Sequence, residues 1–345
     1  MLRASAINLI IIIYYEKRGE KLIMNVSKLE DNYRPSGREL VRVKQTGNVT
    51  ELMWIEKRNS KMYIRKVDSD HYIDIREDPD PETGECILHE FNRSENRGQN
   101  KAGVAKSLAL GRDLLNTNIT DVDCCRWVTL TYAENMTDPK RLYKDFEKFN
   151  KRLRYYLGEK YEYIVAMEPQ GRGAWHAHVV MIFNHKAPFI PNHELAEIWG
   201  HGFVTIKRLD NVDNVGAYLT AYLGDMDLQE AIDTKQIKLP AGCLPENVGG
   251  DGIKEVEVDV DGEKVKKKYI KGGRLHMYPP KFNIFRYSRG IKKPIVELMN
   301  ADKAEKKVSA DALTYEKTLK ITNGEDFETL LNYRYYNSKR DKSQE

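Results

Sequence analysis

Two histidines stand one residue apart in the segment GRGAWHAHVVM, residues 171–181. The neighbours of His176 and His178 are apolar or small, which predicts a buried strand over 174–183. Alternate side chains of a strand point to the same side of the sheet, so the two imidazoles converge there. Paired imidazoles supply two ligands for a metal ion, although a pair of structural histidines in the core would give the same pattern.

A carboxylate is available on the neighbouring predicted strand. The segment YEYIVAME at 161–168 ends at Glu168, and the short turn PQGRG joins it to the histidine strand as an antiparallel hairpin. We therefore expect Glu168 to lie beside the histidines. Two nitrogens and one carboxylate with open positions suit Mg²⁺ or Mn²⁺ acting on phosphate oxygens. A cupin-type barrel uses the same histidine spacing, but it needs many strands, whereas strands here alternate with helices.

Two tyrosines follow on a helix predicted over 211–225. Tyr218 and Tyr222, in the segment AYLTAYLGD, are four residues apart and lie on neighbouring turns of one side. The apolar stripe predicts that Tyr222 is half packed and that the hydroxyl of Tyr218 reaches the edge of the core. Tyrosines at this spacing also occur as ordinary packing residues. Beside a metal ion, however, a phenol oxygen can attack a phosphodiester in line and form a phosphotyrosine.

The elements that must position these residues alternate between strands and helices. A strand over 125–134 precedes a helix that is capped by Asp138 and ends at Gly158. A short helix over 192–200 and a strand over 202–209 lie between the histidines and the tyrosines. This order predicts an α+β fold, a ferredoxin-like antiparallel sheet with helices on one face.

A charged hairpin is predicted further along the chain, over 254–269. Asp261-Gly262 has the sequence of a two-residue turn. Such a turn pairs acids with lysines, and each exposed pair contributes little stability. The expected pairs are Asp259 with Lys264, Glu257 with Lys266, and Glu255 with Lys268.

Basic residues interleaved with aromatic residues dominate the stretch 271–293, which contains no acid. Cationic groups bind phosphates and aromatic rings stack on unpaired bases, so the pattern predicts contact with single-stranded nucleic acid. A solvated basic face over a small core is the alternative. The interleaved aromatic residues are Tyr278, Phe282, Phe285 and Tyr287. The residues expected to contact DNA, some of them outside this stretch, are Arg172, Lys207, Arg208, Arg274, Lys281, Arg286, Arg289, Lys292 and Lys293.

Three segments resemble, in order, the three motifs of rolling-circle replication initiators: WVTLTY (127–132), GAWHAHVVM (173–181) and AYLTAYL (217–223). These initiators are His-hydrophobic-His (HUH) endonucleases, and those of bacterial phages and plasmids are the most similar. The segment MYPPKFNIFRYSRGIKKP (277–294) also looks like them. The resemblance implies metal-dependent, site-specific nicking of single-stranded origin DNA, with a 5′-phosphotyrosine intermediate, a free 3′ hydroxyl and later rejoining. A host helicase and DNA polymerase are the implied partners, because the sequence has no GxxxxGK[ST] motif.

The resemblance assigns roles position by position. His176 and His178 match the metal-binding histidines, and Glu168 matches the place of a third ligand. Tyr218 matches the nucleophile and Tyr222 the second tyrosine of two-tyrosine initiators. The sequence departs from the usual Tyr-x-x-Lys at position 221, which is alanine. We expect another cation, Lys207 or Arg208, to substitute for that lysine in an active enzyme.

Three other classes of protein fit part of the pattern. A plasmid-mobilisation relaxase has similar chemistry, but its tyrosine usually precedes the histidines. A transposase of the same superfamily is also compatible, although the length and the basic C-terminal part argue against a small one. A DNA- or RNA-binding protein without catalysis is the alternative that Ala221 favours.

Composition and patterning set the remaining expectations. The apolar run 6–15 is about half the ~20 residues that a membrane-spanning helix needs. Four cysteines without a CxxC pair suit a reducing cytoplasm and argue against a structural zinc site. Met24 is the expected natural start. The expected divisions are an upstream extension (1–24), an N-terminal region of unknown role (25–120), a nicking domain (121–225), an insertion with the charged hairpin (226–270) and a basic C-terminal region (271–345).

Overall fold

A computed structural model describes most of the chain and divides it into two compact units. The first unit comprises Met1–Lys44, Thr50–Ser94 and Val296–Glu345, and the second comprises Gln45–Val49 and Glu95–Ile295. Met24 lies outside the described part. No helix in that part is long and apolar enough to cross a membrane. The described residues are 14–17, 20–23, 25–57, 64–67, 71–74, 78–90, 94–209, 214–220, 223–240, 243–250, 252–260, 263–322 and 328–340.

Strands outnumber helices among these residues. The strands are β1 (Tyr14–Lys17), β2 (Glu20–Ile23), β3 (Asn25–Lys28), β4 (Leu40–Thr46), β5 (Val49–Ile55), β6 (Ile64–Lys66), β7 (His71–Asp74), β8 (His89–Glu90), β9 (Cys125–Tyr132), β10 (Glu162–Pro169), β11 (Trp175–Ile182), β12 (Gly202–Lys207), β13 (Met226–Asp227), β14 (Ile253–Val260), β15 (Glu263–Ile270), β16 (Phe285–Tyr287), β17 (Ile295–Asn300), β18 (Ala312–Thr322) and β19 (Glu328–Asn337). The α-helices are α1 (Lys101–Asn118), α2 (Pro139–Leu157), α3 (Asn192–Trp199), α4 (Val215–Thr220), α5 (Leu228–Asp233) and α6 (Ala301–Lys307). Single 3-10 turns lie at Arg97–Gln99, Val122–Cys124, Pro245–Asn247 and Leu275–Met277.

The second unit is built on a five-stranded sheet in the order β12-β9-β11-β10-β16. Each neighbouring pair in it is antiparallel. The predicted α+β class with an antiparallel sheet is therefore confirmed. The hairpin of β10 and β11, the element expected to bring Glu168 to the histidines, lies in the middle of this sheet.

Helices cover both faces of the sheet, so the prediction that they pack on one face is wrong. On one face, the Tyr132 hydroxyl donates to Asp145 of α2 at 3.0 Å, and the Tyr132 ring packs edge-on against Trp199 of α3. On the opposite face, Leu115 of α1 and Leu219 of α4 line a small cavity with His178. Strand β11 is buried along both of its sides, and each side needs its own apolar cover.

Helix α2 forms where the sequence places its signals. The Asp138 side chain accepts a hydrogen bond from the Lys140 backbone N–H at 2.8 Å, and Pro139 occupies the first turn. Gly158 ends the helix in the left-handed conformation, with φ of 68°. Both predicted ends are confirmed. The apolar face of the helix joins the core through four buried side chains, Leu142, Phe146, Phe149 and Leu153.

The charged hairpin is confirmed as β14 and β15, which form a three-stranded sheet with β13. The register pairs Asp259 with Lys264, Glu257 with Lys266 and Glu255 with Lys268, as predicted. The turn residues 261–262 lie outside the described residues. An ion pair of 3.3 Å joins Lys266 to Glu255 on the diagonal, and both side chains are exposed.

The first unit contains a six-stranded sheet in the order β17-β4-β5-β19-β18-β3. One sheet thus combines strands from 25–55 with strands from 295–337. Helix α6 packs on it through Ala301 and Ala304, against apolar side chains such as Val41, Leu52 and Trp54. Two shorter sheets, β1-β2 and β6-β7-β8, are also found in the N-terminal part of the chain.

A buried carboxylate makes the stability of this sheet depend on pH. Glu51 of β5 receives Lys44 at 2.9 Å and Arg42 at 3.1 Å. Burial raises the pKa of Glu51, but the Lys44 charge and hydrogen bonds outweigh it and leave that pKa below its ordinary 4.5. Because the folded-state pKa is the lower one, Glu51 stabilises the fold above about pH 4.5 and loses this effect as the pH falls.

We expect Glu51→Gln to lower the free energy of unfolding of the first unit by about 2–4 kcal/mol at pH 7. The difference from wild type should shrink below pH 4.5, because protonation then neutralises the wild-type residue as well. Hydrogen exchange of peptides from β5 and β19, measured at pH 7 and pH 4, tests this. An equal difference at both pH values would contradict the assignment.

Candidate metal centre and tyrosine helix

Strands β10 and β11 bring together the three predicted metal ligands. Glu168 lies directly opposite His176 in the antiparallel register, and His178 is two residues further along the same face. The Nε2 atoms of His176 and His178 each lie 3.4 Å from Glu168 Oε2. The two imidazole rings are 4.5 Å apart. Within the described residues, these three side chains form the cluster whose donor atoms all lie within 4.8 Å of one another.

The surroundings of the cluster set its protonation state. Burial raises the pKa of Glu168, but hydrogen bonds with the histidines and the Arg274 charge outweigh burial and hold that pKa well below its usual range. Burial lowers the pKa of His176 in spite of the neighbouring Glu168. At neutral pH, Glu168 is therefore an anion and His176 is neutral. These are the protonation states in which both groups bind metal.

The second oxygen of Glu168 is occupied by the protein. Glu168 Oε1 accepts the backbone N–H of Gly224 at 3.0 Å and lies 3.0 Å from Arg274 Nη1. The carboxylate thus has two separate tasks. Oε2 faces the histidines, and Oε1 fixes the chain that follows α4.

Arg274 lies inside this network, so its predicted role as a phosphate contact is wrong. Its side chain is 14% exposed, and Nη2 binds Glu230 at 2.5 Å in addition to the contact with Glu168. Glu230 also accepts the Gly171 backbone N–H at 2.8 Å, in the turn before the histidines. Sequence reasoning missed Glu230 because it lies 44 residues from Arg274, on a helix with no motif.

Thr129 was also missed, although it lies in the WVTLTY segment. Its Oγ1 is 3.1 Å from Nδ1 of His178. If Nδ1–H donates to this hydroxyl, Nε2 keeps its lone pair on the side of Glu168 and can bind a metal. The sequence signal is available in retrospect, because Thr129 and Thr131 alternate on a strand that pairs with the histidine strand.

The donor set fits a divalent cation. It comprises two imidazole nitrogens and one ionised carboxylate oxygen on two rigid, adjacent strands. The separations of 3.4 Å from Glu168 Oε2 to each histidine are close to the roughly 3 Å between adjacent ligands of an octahedral Mg²⁺. With three protein ligands, such an ion keeps open positions for water and phosphate oxygens.

The helix that carries Tyr218 is fixed to this site through its backbone. Tyr218 lies within α4, but its side chain is outside the described part, as are residues 221–222 and with them Ala221 and Tyr222. Leu219 and Leu223 line the cavity at His178, and Gly224 donates to Glu168. The backbone around Tyr218 is thus held against the face of the sheet that carries the histidines.

Helix α4 also packs tightly on α1 at Gly216. The Gly216 N–H donates to Asn116 Oδ1 at 2.7 Å. A Cβ on Gly216 would lie 2.3 Å from the carbonyl oxygen of Arg112. Since that neighbour is backbone, the two helices approach each other this closely because position 216 is glycine.

We expect Gly216→Ala to displace α4 and to lower the free energy of unfolding by about 1–3 kcal/mol. DNA nicking should fall, while Mn²⁺ affinity stays close to wild type, because the metal donors lie on β10 and β11. Gly249→Ala is the matched control, since a Cβ there meets nothing within 4 Å. Unchanged nicking in a folded Gly216→Ala protein would show that the position of α4 does not matter.

The other residues expected to contact DNA are exposed. The Arg286 guanidinium lies 3.3 Å from the centroid of the Tyr143 ring. Three of the four interleaved aromatic residues, Tyr278, Phe282 and Phe285, are buried in the core, so a base-stacking role for them is wrong. Tyr287 is 37% exposed. The exposed basic residues are Arg172, Lys207, Arg208, Lys281, Arg286, Arg289, Lys292 and Lys293.

Comparison with known proteins gives one family. The family model for the replication-associated protein ORF2 matches residues 125–227. This range contains β9 to β13, all three candidate metal ligands and both tyrosines. The similarity supports a replication initiator. No curated protein and no solved structure matches the chain.

Proposed function

We propose that the chain is a rolling-circle replication initiator of the HUH endonuclease superfamily, of the bacterial phage or plasmid type. It nicks single-stranded DNA at a replication origin through a tyrosine. The observation that carries this proposal is the double use of Glu168. One carboxylate oxygen faces both histidines at 3.4 Å, and the other binds Gly224, six residues after Tyr218.

His176, His178 and Glu168 would hold Mg²⁺ or Mn²⁺. The bound ion supplies polarisation of the scissile phosphate and neutralises charge that develops in the transition state. The protein's part is to keep the three donors rigid. Arg274 and the Gly224 N–H hold Glu168 by its second oxygen, so the carboxylate does not rotate away when substrate arrives.

Tyr218 is the proposed nucleophile and Tyr222 the second tyrosine. The phenol of Tyr218 loses its proton, and its oxygen forms a bond to phosphorus. The bond from phosphorus to the 3′ oxygen breaks, and that oxygen takes up a proton to become a free 3′ hydroxyl. One phosphodiester replaces another, so the 3′ hydroxyl can later attack the phosphotyrosine and rejoin the strand.

Lys207 is the proposed substitute for the lysine that Ala221 replaces. Its position in β12 is opposite Trp127, whose ring lies 5.5 Å from the ring of His178. Lys207 therefore shares the sheet face that carries the metal donors. Arg208 follows the strand, and its charge lowers the pKa of Arg126, so it lies near a different part of the sheet.

The partners in this proposal are single-stranded origin DNA, a host helicase and a DNA polymerase that extends the 3′ hydroxyl. A cytoplasmic location follows from that role. A relaxase or a transposase of the same superfamily would share the chemistry. The order of the motifs, with the tyrosines after the histidines, favours the initiator.

A nucleic-acid-binding protein without catalysis is the second candidate, and Ala221 is the observation that favours it. A nicking assay separates the two. Single-stranded oligonucleotides tiled across the DNA next to the coding sequence are incubated with the full chain and Mn²⁺, and then run on a denaturing gel. The proposal predicts cleavage at one site that EDTA abolishes. Binding without cleavage by the folded protein would favour the second candidate.

A further inference from the structure

Strand β12, at the edge of the five-stranded sheet, exposes a phenylalanine on the face that carries the metal donors. Phe203 is 70% exposed, whereas the next residue, Val204, is 6% exposed. A single exposed ring is ordinary on a protein surface. The position of Phe203 in the sheet register gives this one its significance.

The register places Phe203 in line with the metal centre. Phe203 lies directly opposite Thr131 of β9, and Thr131 lies directly opposite His176 of β11. Directly opposed residues of antiparallel strands project to the same face. Since neighbouring strands are about 4.8 Å apart, Phe203 lies about 10 Å from His176 across the sheet. One row of side chains therefore crosses four strands: Phe203, Thr131, His176 and Glu168.

Two further exposed residues of β12 project to the same face. Thr205 lies opposite Thr129, and Lys207 lies opposite Trp127. We call Phe203, Thr205 and Lys207 the β12 strip. The strip offers an aromatic ring, a hydroxyl and a cation, and none of its members carries a negative charge. The intervening residues Val204 and Ile206 belong to the other face.

We propose that the β12 strip binds single-stranded DNA beside the cleavage site, with one base stacked on Phe203 and a phosphate on Lys207. This inference rests on the proposed function, because the metal centre gives the DNA its position. A distance of about 10 Å corresponds to roughly three steps of a stacked strand at 3.4 Å per nucleotide. The stacked base therefore lies within about three nucleotides of the scissile phosphate. Phe203 is a DNA-positioning residue in this account.

The test measures binding in EDTA, so its readout does not depend on nicking. Fluorescence anisotropy of a labelled oligo(dT) gives the affinity of the full chain. Phe203→Ala should weaken binding on the order of 10-fold, the effect of losing one base–aromatic stack. Phe203→Tyr, which keeps a stacking ring, should bind within about twofold of wild type. Phe189→Ala is the matched control, because Phe189 is 87% exposed but follows the far end of β11.

A second variant reports stacking directly. Phe203→Trp places an indole at the proposed contact, and its fluorescence should be quenched when oligo(dT) is added. A duplex of the same length should quench less, because its bases are already paired and stacked. The difference from wild-type fluorescence under the same additions isolates the new indole from the natural tryptophans.

Several results would overturn the inference. Equal affinities of Phe203→Ala and Phe189→Ala would do so, as would Phe203→Trp fluorescence that DNA leaves unchanged. A dimer that dissociates on Phe203→Ala while DNA affinity is unchanged would assign the strip to a second copy of the chain. Nicking with no dependence on Phe203 would leave the proposed function standing without the strip. Phe203-dependent binding without nicking would leave the strip standing without catalysis.

Discussion

Tyr218→Phe will abolish the covalent protein–DNA adduct and lower nicking by roughly three orders of magnitude or more, the scale of losing a nucleophile. The substitution removes one oxygen and keeps the ring, so the fold and α4 should be unaffected. Affinity for single-stranded DNA in EDTA should stay within about twofold of wild type, because the phenol oxygen acts in the reaction and adds little to binding. Denaturing electrophoresis of a 5′- or 3′-labelled oligonucleotide gives the rate and the adduct.

Tyr222→Phe is the matched control for that experiment. In a two-tyrosine initiator, Tyr222 acts after the first cleavage, so its loss should leave the first nick close to wild type and reduce repeated turnover. If Tyr222→Phe abolished the first nick and Tyr218→Phe did not, the two roles would have to be exchanged. If neither substitution mattered, the tyrosine mechanism would be wrong.

Glu168→Gln will remove the metal ligand that joins the two histidines. The amide keeps the size of the side chain but presents at most one oxygen, and Gly224 and Arg274 already compete for it. We expect Mn²⁺ affinity, measured by calorimetry, to fall by more than about 100-fold, with nicking falling in parallel at micromolar metal. Because Arg274 also loses one of its two carboxylates, the free energy of unfolding should drop by about 1–3 kcal/mol.

Glu230→Gln separates loss of metal binding from loss of stability. Glu230 is the other carboxylate on Arg274, at 2.5 Å, and it is not part of the donor cluster. This control should lose similar stability and keep Mn²⁺ affinity within a few-fold of wild type. A Glu230→Gln protein that lost metal as severely as Glu168→Gln would show that the network around Arg274, and not direct ligation, governs metal binding.

The metal donors could be predicted from sequence because local rules determine them. The alternation of a strand puts His176 and His178 on one face, and a short turn brings Glu168 into register opposite His176. The ends of α2 follow from Asp138 and Gly158 for the same reason. Each of these features depends on residues that are close together in the chain.

The remaining features depend on contacts between distant residues. Arg274 has the sequence context of a phosphate-binding arginine, yet it is held by Glu168 and Glu230. Phe285 looked like a base-stacking residue, but it begins a strand beside β10 and its ring is buried. The cover on the second face of the sheet comes from α1 and α4, which are about 100 residues apart at Asn116 and Gly216. Composition and periodicity carry no signal for such pairings.

The identity of the adduct tests the central proposal most directly. The full chain is incubated with Mn²⁺ and the cleaved oligonucleotide, the DNA is digested, and the protein is cut with trypsin. Cleavage after Arg208 and Lys235 gives a peptide of residues 209–235 that contains both tyrosines. The account predicts a nucleotide phosphate on this peptide, located at Tyr218 by fragmentation and absent when EDTA replaces Mn²⁺. A cleaved oligonucleotide with no adduct on this peptide would contradict it.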